Sequence, residues 1–200
     1  MAYLLVALAA LLAFVLLSKS ARRRELATTV IRAPSLGVLN LAGTAGHELL
    51  TRDLELIAPL FGTTRNGEEQ PPRCDVLLLY CELESNGSVQ RSGRSLREII
   101  RDSGASVVVV ATNHSADAYI AAAPKLPFGQ ANLVMTLDRK GTALASFLAK
   151  LFRKMNDGSS MPAAWNELMP HDPEVSESDG PEAIFACERG QITFDATRIS

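Results

Sequence analysis

The side chains best suited by type and position to do chemistry are a thiol and two imidazoles. Cys81 closes the apolar run Asp75–Tyr80 (DVLLLY), His47 follows the glycine-containing stretch Gly43–Gly46, and His114 lies three residues beyond the run Ala105–Ala111 (ASVVVVA). A thiol at the end of one strand and an imidazole on a neighbouring exit loop form a nucleophile pair if the base can hold the sulfur as thiolate. His47 is the favoured base and His114 the alternative. The backbone around Gly43, Thr44 and Gly46 offers amide donors for an oxyanion. The same residues have a plainer reading: a cysteine ending an apolar strand is most often core packing, and a lone loop histidine is most often a surface or capping residue.

The elements that must position these groups read as an α/β domain. Leu36–Ala42 (LGVLNLA) is a buried strand running into the glycine loop, and His47–Leu60 has apolar residues at helical spacing with Pro59 limiting its end. Residues 62–73 are polar, with glycine and proline, and read as an exposed loop. Asp75–Tyr80 is a continuous apolar run, as in a strand covered on both faces. A helix near Ser95–Asp102 turns Leu96, Ile99 and Ile100 inward, Gly104 stops it, and the next apolar run follows at once, so the two strands should be parallel. Helical pieces are expected at Ser115–Ala123 and Thr142–Met155. Ala183–Cys187 and Gln191–Phe194 read as a hairpin. In such a sheet the ligand sits beyond the C-terminal ends of the parallel strands, which is where Gly43–His47, Cys81 and His114 emerge.

The first seventeen residues, MAYLLVALAALLAFVLL, carry no charge and no helix breaker, and Lys19 and Arg22–Arg24 follow them. The length and the trailing cations predict a transmembrane anchor over residues 1–18, a basic stem over 19–35, and the remaining domain on the cytoplasmic side. A cleavable signal peptide carries its charge before the apolar segment rather than after it; a buried helix is the other alternative. Asn86-Gly87-Ser88 and Asn113-His114-Ser115 are glycosylation patterns that matter only in a secretory lumen.

Composition narrows the function classes. A net charge of −2, with 21% charged residues, predicts no nucleic-acid surface. Cys74, Cys81 and Cys187 cannot all pair within the chain, and none has zinc-site spacing. Cys74 and Cys187 read as structural. The histidines His47, His114 and His171 form no metal motif, and no phosphate or dinucleotide loop is present, so neither metal nor cofactor is expected. The acidic loop Glu174–Asp179 reads as solvated.

Several segments together resemble the caspase-like fold, and in particular the CHAT family of caspase-related cysteine peptidases. Leu39–Gly46 (LNLAGTAG) is similar to that family's strand and loop ending in His-Gly, and Asp75–Glu84 (DVLLLYCELE) to its strand ending in Ala-Cys-Glu. Leu96–Thr112 resembles the helix, glycine and strand after the cysteine, and Glu182–Phe194 its closing segment. The resemblance covers about residues 36–195 and implies a three-layer sandwich around a mostly parallel sheet, here preceded by one transmembrane helix. It implies that Cys81 is the nucleophile of a peptidase acting on a protein or peptide substrate, with His47 as base. The sequence departs from the pattern: ungapped, the family's catalytic histidine falls near Thr44, and Tyr80 stands where a small residue is usual. The segment between anchor and Leu36 is too short for the two leading strands of a complete domain. The alternative implied is a catalytically inactive module serving as a membrane-tethered binding or regulatory protein.

Overall fold

The computed structural model describes residues 29–84, 88–112, 131–136, 143–168, 184–187 and 192–195. Strand β1 (Thr29–Arg32) leads into β2 (Ser35–Asn40), followed by α1 (Gly43–Ile57), a short 3-10 turn, β3 (Thr63–Gly67) and β4 (Val76–Tyr80). Then come α2 (Leu96–Ser103), β5 (Val107–Thr112), β6 (Ala131–Thr136), α3 (Ala143–Asn156), α4 (Met161–Leu168), β7 (Ile184–Cys187) and β8 (Ile192–Asp195). The central sheet has the order β3-β2-β4-β5-β6-β7. Its neighbours pair in parallel except β6 and β7, which are antiparallel.

The alternation of side chains along each strand divides the core into two layers. Leu36, Val38, Val76, Leu78, Tyr80, Val107, Val109 and Ala111 face α1, α3 and α4. Leu39, Leu77, Leu79, Cys81, Val108 and Val110 face α2. This is the expected three-layer α/β arrangement. Helix α3 fills the first layer with Leu144, Phe147, Leu148, Leu151, Phe152 and Met155, a single stripe at helical spacing. Helix α2 is short and sharply bounded. The Ser95 hydroxyl accepts from the Glu98 N–H at 3.3 Å while the Glu98 carboxylate accepts from the Ser95 N–H at 3.0 Å, and Gly104 ends the helix at φ 66°.

The fold class needs one correction. Among the described residues no helix is long and apolar enough to cross a membrane, so the transmembrane helix placed ahead of the sandwich is not among the elements described. Residues 1–28, on which the anchor reading and the cytoplasmic placement fall, lie outside the described residues, as do His114, His171, the helix at 115–123 and the acidic loop.

Three local expectations also change. Residues 63–67, inside the stretch read as a loop, form β3 along β2, with Val38 opposite Asn66; the strand is made by backbone pairing although its side chains are polar and exposed. The expected terminal hairpin does not form. Strand β7 pairs with β6, and β8 joins β1 in a separate two-stranded parallel sheet. Strand β1 itself lies within the stretch read as a stem. Its Ile31 packs with Ile192 and Phe194 against the α3 layer, and Phe194 meets Phe61 edge-on at 6.1 Å.

Candidate functional site

The ends of the parallel strands place the residues singled out by the sequence. Cys81 directly follows β4, and its N–H donates to the Ala111 carbonyl of β5 at 3.0 Å. One step to the other side, the Leu41 N–H after β2 donates to the Tyr80 carbonyl at 2.7 Å. Strand parity then sends Tyr80 into the α1 layer and Cys81 into the α2 layer. There the thiol is fully buried among Leu39, Leu41, Leu79 and Leu83. Burial pushes it from an ordinary value of 9.0 up to about 12, with the nearby Glu82 carboxylate acting in the same direction. A thiol so placed is protonated at neutral pH and is a poor nucleophile. Cys74, half-buried against Gly37, is also pushed up to about 12 by burial.

His47 lies on the other side of the sheet. It is exposed on the first turns of α1, the helix whose Leu50 and Ile57 belong to the opposite layer. The structure therefore brings Cys81 to the end of β4 and His47 to the end of β2 but does not bring the two together. No imidazole among the described residues shares the layer of the sulfur.

Gly43, Thr44 and Gly46 form the first turn of α1. The turn is built by Asn40, whose carboxamide oxygen accepts from the Ala42 N–H at 3.0 Å and whose amide donates to the Gly43 carbonyl at 3.2 Å. Glycine is required at both ends of it. Gly43 has φ +75°, and a Cβ there would lie 2.6 Å from the Arg91 guanidinium; at Gly46 a Cβ would lie 2.6 Å from the Asn40 carboxamide oxygen. Thr44 is exposed. The positive end of α1 and the Arg91 cation thus adjoin, a corner whose field favours an anion over a cation. The turn lies beside β2 rather than over the sealed sulfur.

Two features escaped the sequence reading. The first is a buried polar pair: the Tyr80 hydroxyl donates to the Asp53 carboxylate, and both residues are fully buried. Asp53 stands on the inner stripe of α1 between Leu50 and Ile57, so a carboxylate at an apolar position was the available signal. The second is a cleft of about 530 Å³ where α1 overhangs β2 and β3. Val38, Leu50 and Leu54 give it an apolar floor, and Asn40, His47, Thr51, Glu55 and Asn66 line its polar walls. The spacing of His47, Thr51 and Glu55 by four residues was legible as one helical face. Among the described residues no group of three or more metal-ligating side chains is gathered.

Comparison with protein-family models and with curated proteins gives no match for this chain.

Proposed function

We propose that this protein is a catalytically silent module of the caspase-like kind, working by binding a protein or peptide partner rather than by cleaving one. The observation that carries this reading is the state of Cys81: fully buried, on the α2 side of the sheet, with its thiol pushed up to about 12. A nucleophile must be reached by substrate and must be available as thiolate. Neither condition is met by a sulfur enclosed by leucines. The three-layer sandwich with a glycine turn after β2 supports the kinship to caspase-like domains, and the cleft under α1 gives the module a surface with which to bind.

The test is alkylation of Cys81 by iodoacetamide, followed residue by residue by peptide mapping, in the folded protein and in urea. The expected result is labelling in urea and strong protection in buffer. A Cys81 that is alkylated in the folded protein as fast as in urea, or a cleavage product from a peptide panel that disappears in Cys81→Ala, overturns the proposal and restores the peptidase reading.

A further inference from the structure

We infer that the outer edge of β3 and the cleft beside it form a docking site for an extended peptide carrying a lysine or arginine, which adds to the sheet as one more strand and reaches Glu55 with its cationic side chain. The inference rests on the reading of the chain as a binding module and says where and what it binds.

The sheet order ends at β3, and among the described residues no strand lies beyond it. An edge strand leaves a row of N–H and C=O groups without ladder partners, and an added strand about 4.8 Å away satisfies them. Many edges are blunted by a cation pointing outward. Here the one cation of the strand, Arg65, falls by alternation on the face away from α1, and its guanidinium donates to the Arg73 carbonyl at 3.0 Å. Thr64 and Asn66 occupy the face toward α1 and are exposed, so α1 leaves that face uncovered.

The cleft lies within one strand spacing of this edge, since Asn66 and Gly67 form its outer wall. A side chain from an added strand would cross β3 onto the apolar floor of Val38, Leu50 and Leu54. His47, Thr51 and Glu55 run along about 12 Å of α1 above it, the length of about four extended residues. Glu55 lines the cleft, exposed and with no hydrogen-bond partner among the described residues, and the exposed Glu68 and Glu69 directly follow β3. Thr51, by contrast, already donates to the His47 carbonyl at 3.0 Å. An apolar floor, an open ladder and the exposed carboxylate of Glu55 in the wall together favour an extended peptide with a basic residue over a neutral or acidic one.

The test uses the full chain and a fluorescent ten-residue peptide of alternating threonine and valine with a single central lysine. Two further peptides serve as controls: one with glutamate at the central position and one N-methylated at alternate residues. Binding is followed by anisotropy. The expected result is binding of the lysine peptide, loss of about tenfold in affinity with Glu55→Gln, and failure of both control peptides to bind. Glu55 is exposed, and an unchanged melting temperature for Glu55→Gln would show that the fold is kept. Absence of binding, binding indifferent to Glu55 and to N-methylation, or equal occupancy by a free alkylamine would overturn the inference. The last of these would make the cleft a small-molecule site. None of these outcomes touches the sealed thiol of Cys81, whereas Cys81-dependent cleavage of the peptide would strike the silent-module reading itself.

Discussion

On the α2 face of the sheet, Leu77, Leu79, Cys81, Val108 and Val110 meet Leu96, Ile99 and Ile100 in a layer closed to solvent. On the α1 face, Val38, Leu78, Tyr80 and Val109 share their layer with the buried carboxylate of Asp53, and the layer opens near β3 into the cleft. The strands are the same; what differs is the helix laid over them. A short, tightly capped helix seals the residue whose chemistry is most reactive in principle, while a longer helix overhanging the sheet edge exposes residues of ordinary reactivity. Accessibility, and not residue type, decides which face can meet a partner.

The largest effect that probes this contrast is a cavity in the sealed layer. Leu79→Ala removes a fully buried side chain and is expected to lower the unfolding free energy by about 2–5 kcal/mol, measured by urea denaturation. The same substitution at Leu54, half-buried on the cleft floor, should cost clearly less, because part of that surface is already wet. Equal losses at the two positions would show that the faces are packed alike.

Next comes the buried pair. Tyr80→Phe leaves the Asp53 carboxylate without the hydroxyl that donates to it and is expected to destabilise by about 1–3 kcal/mol. The double variant Tyr80→Phe/Asp53→Leu should recover much of that loss, since an apolar pair of similar volume takes the place of two buried polar partners. A double variant no better than the single one would mean that Asp53 holds α1 on the sheet through other contacts.

The third effect comes from the sulfur of Cys81. Its folded-state value of about 12 lies above the ordinary 9.0, so the folded state holds the proton more tightly. The resulting stability is fully present below pH 9, falls as pH rises, and is gone above about 12. By pH 10 the loss is about 1.4 kcal/mol. Cys81→Ala should therefore flatten the decline of the melting temperature between pH 9 and 11 relative to the unchanged protein. An identical decline in both would place the thiol in contact with water.

Much of this arrangement was legible residue by residue. The apolar runs of β4 and β5, the inward face of α2 at Leu96, Ile99 and Ile100 and the glycine that stops that helix are local patterns whose meaning does not depend on the rest of the chain. Strand β3 was not legible because TTRNG has no apolar alternation; its pairing comes from the backbone of β2. The segments of β7 and β8 look like a hairpin locally, yet each finds a partner far away in sequence, a choice that local turn chemistry does not encode. For the site, the order of elements placed Cys81, Gly43–Gly46 and His47 at strand ends. The face was also readable by parity, since Cys81 keeps step with Leu77 and Leu79 rather than with Leu78 and Tyr80. What parity could not supply is which helix covers which face.

The smallest expected effect is also the one that separates the two faces most directly. His47 is exposed on α1 and lines the cleft, so His47→Ala removes little packing and should change stability by no more than about 0.5 kcal/mol. If His47 acted as the base for Cys81, its removal would lower the thiolate fraction and slow alkylation of the folded protein. With the sulfur in the α2 layer and the imidazole on the α1 side, the alkylation rate of Cys81 should be the same in His47→Ala as in the unchanged chain. Affinity for a ligand in the cleft, in contrast, should change. A slowed alkylation would mean that the imidazole reaches across the end of the sheet, and the division between a sealed face and a binding face would fail at that point.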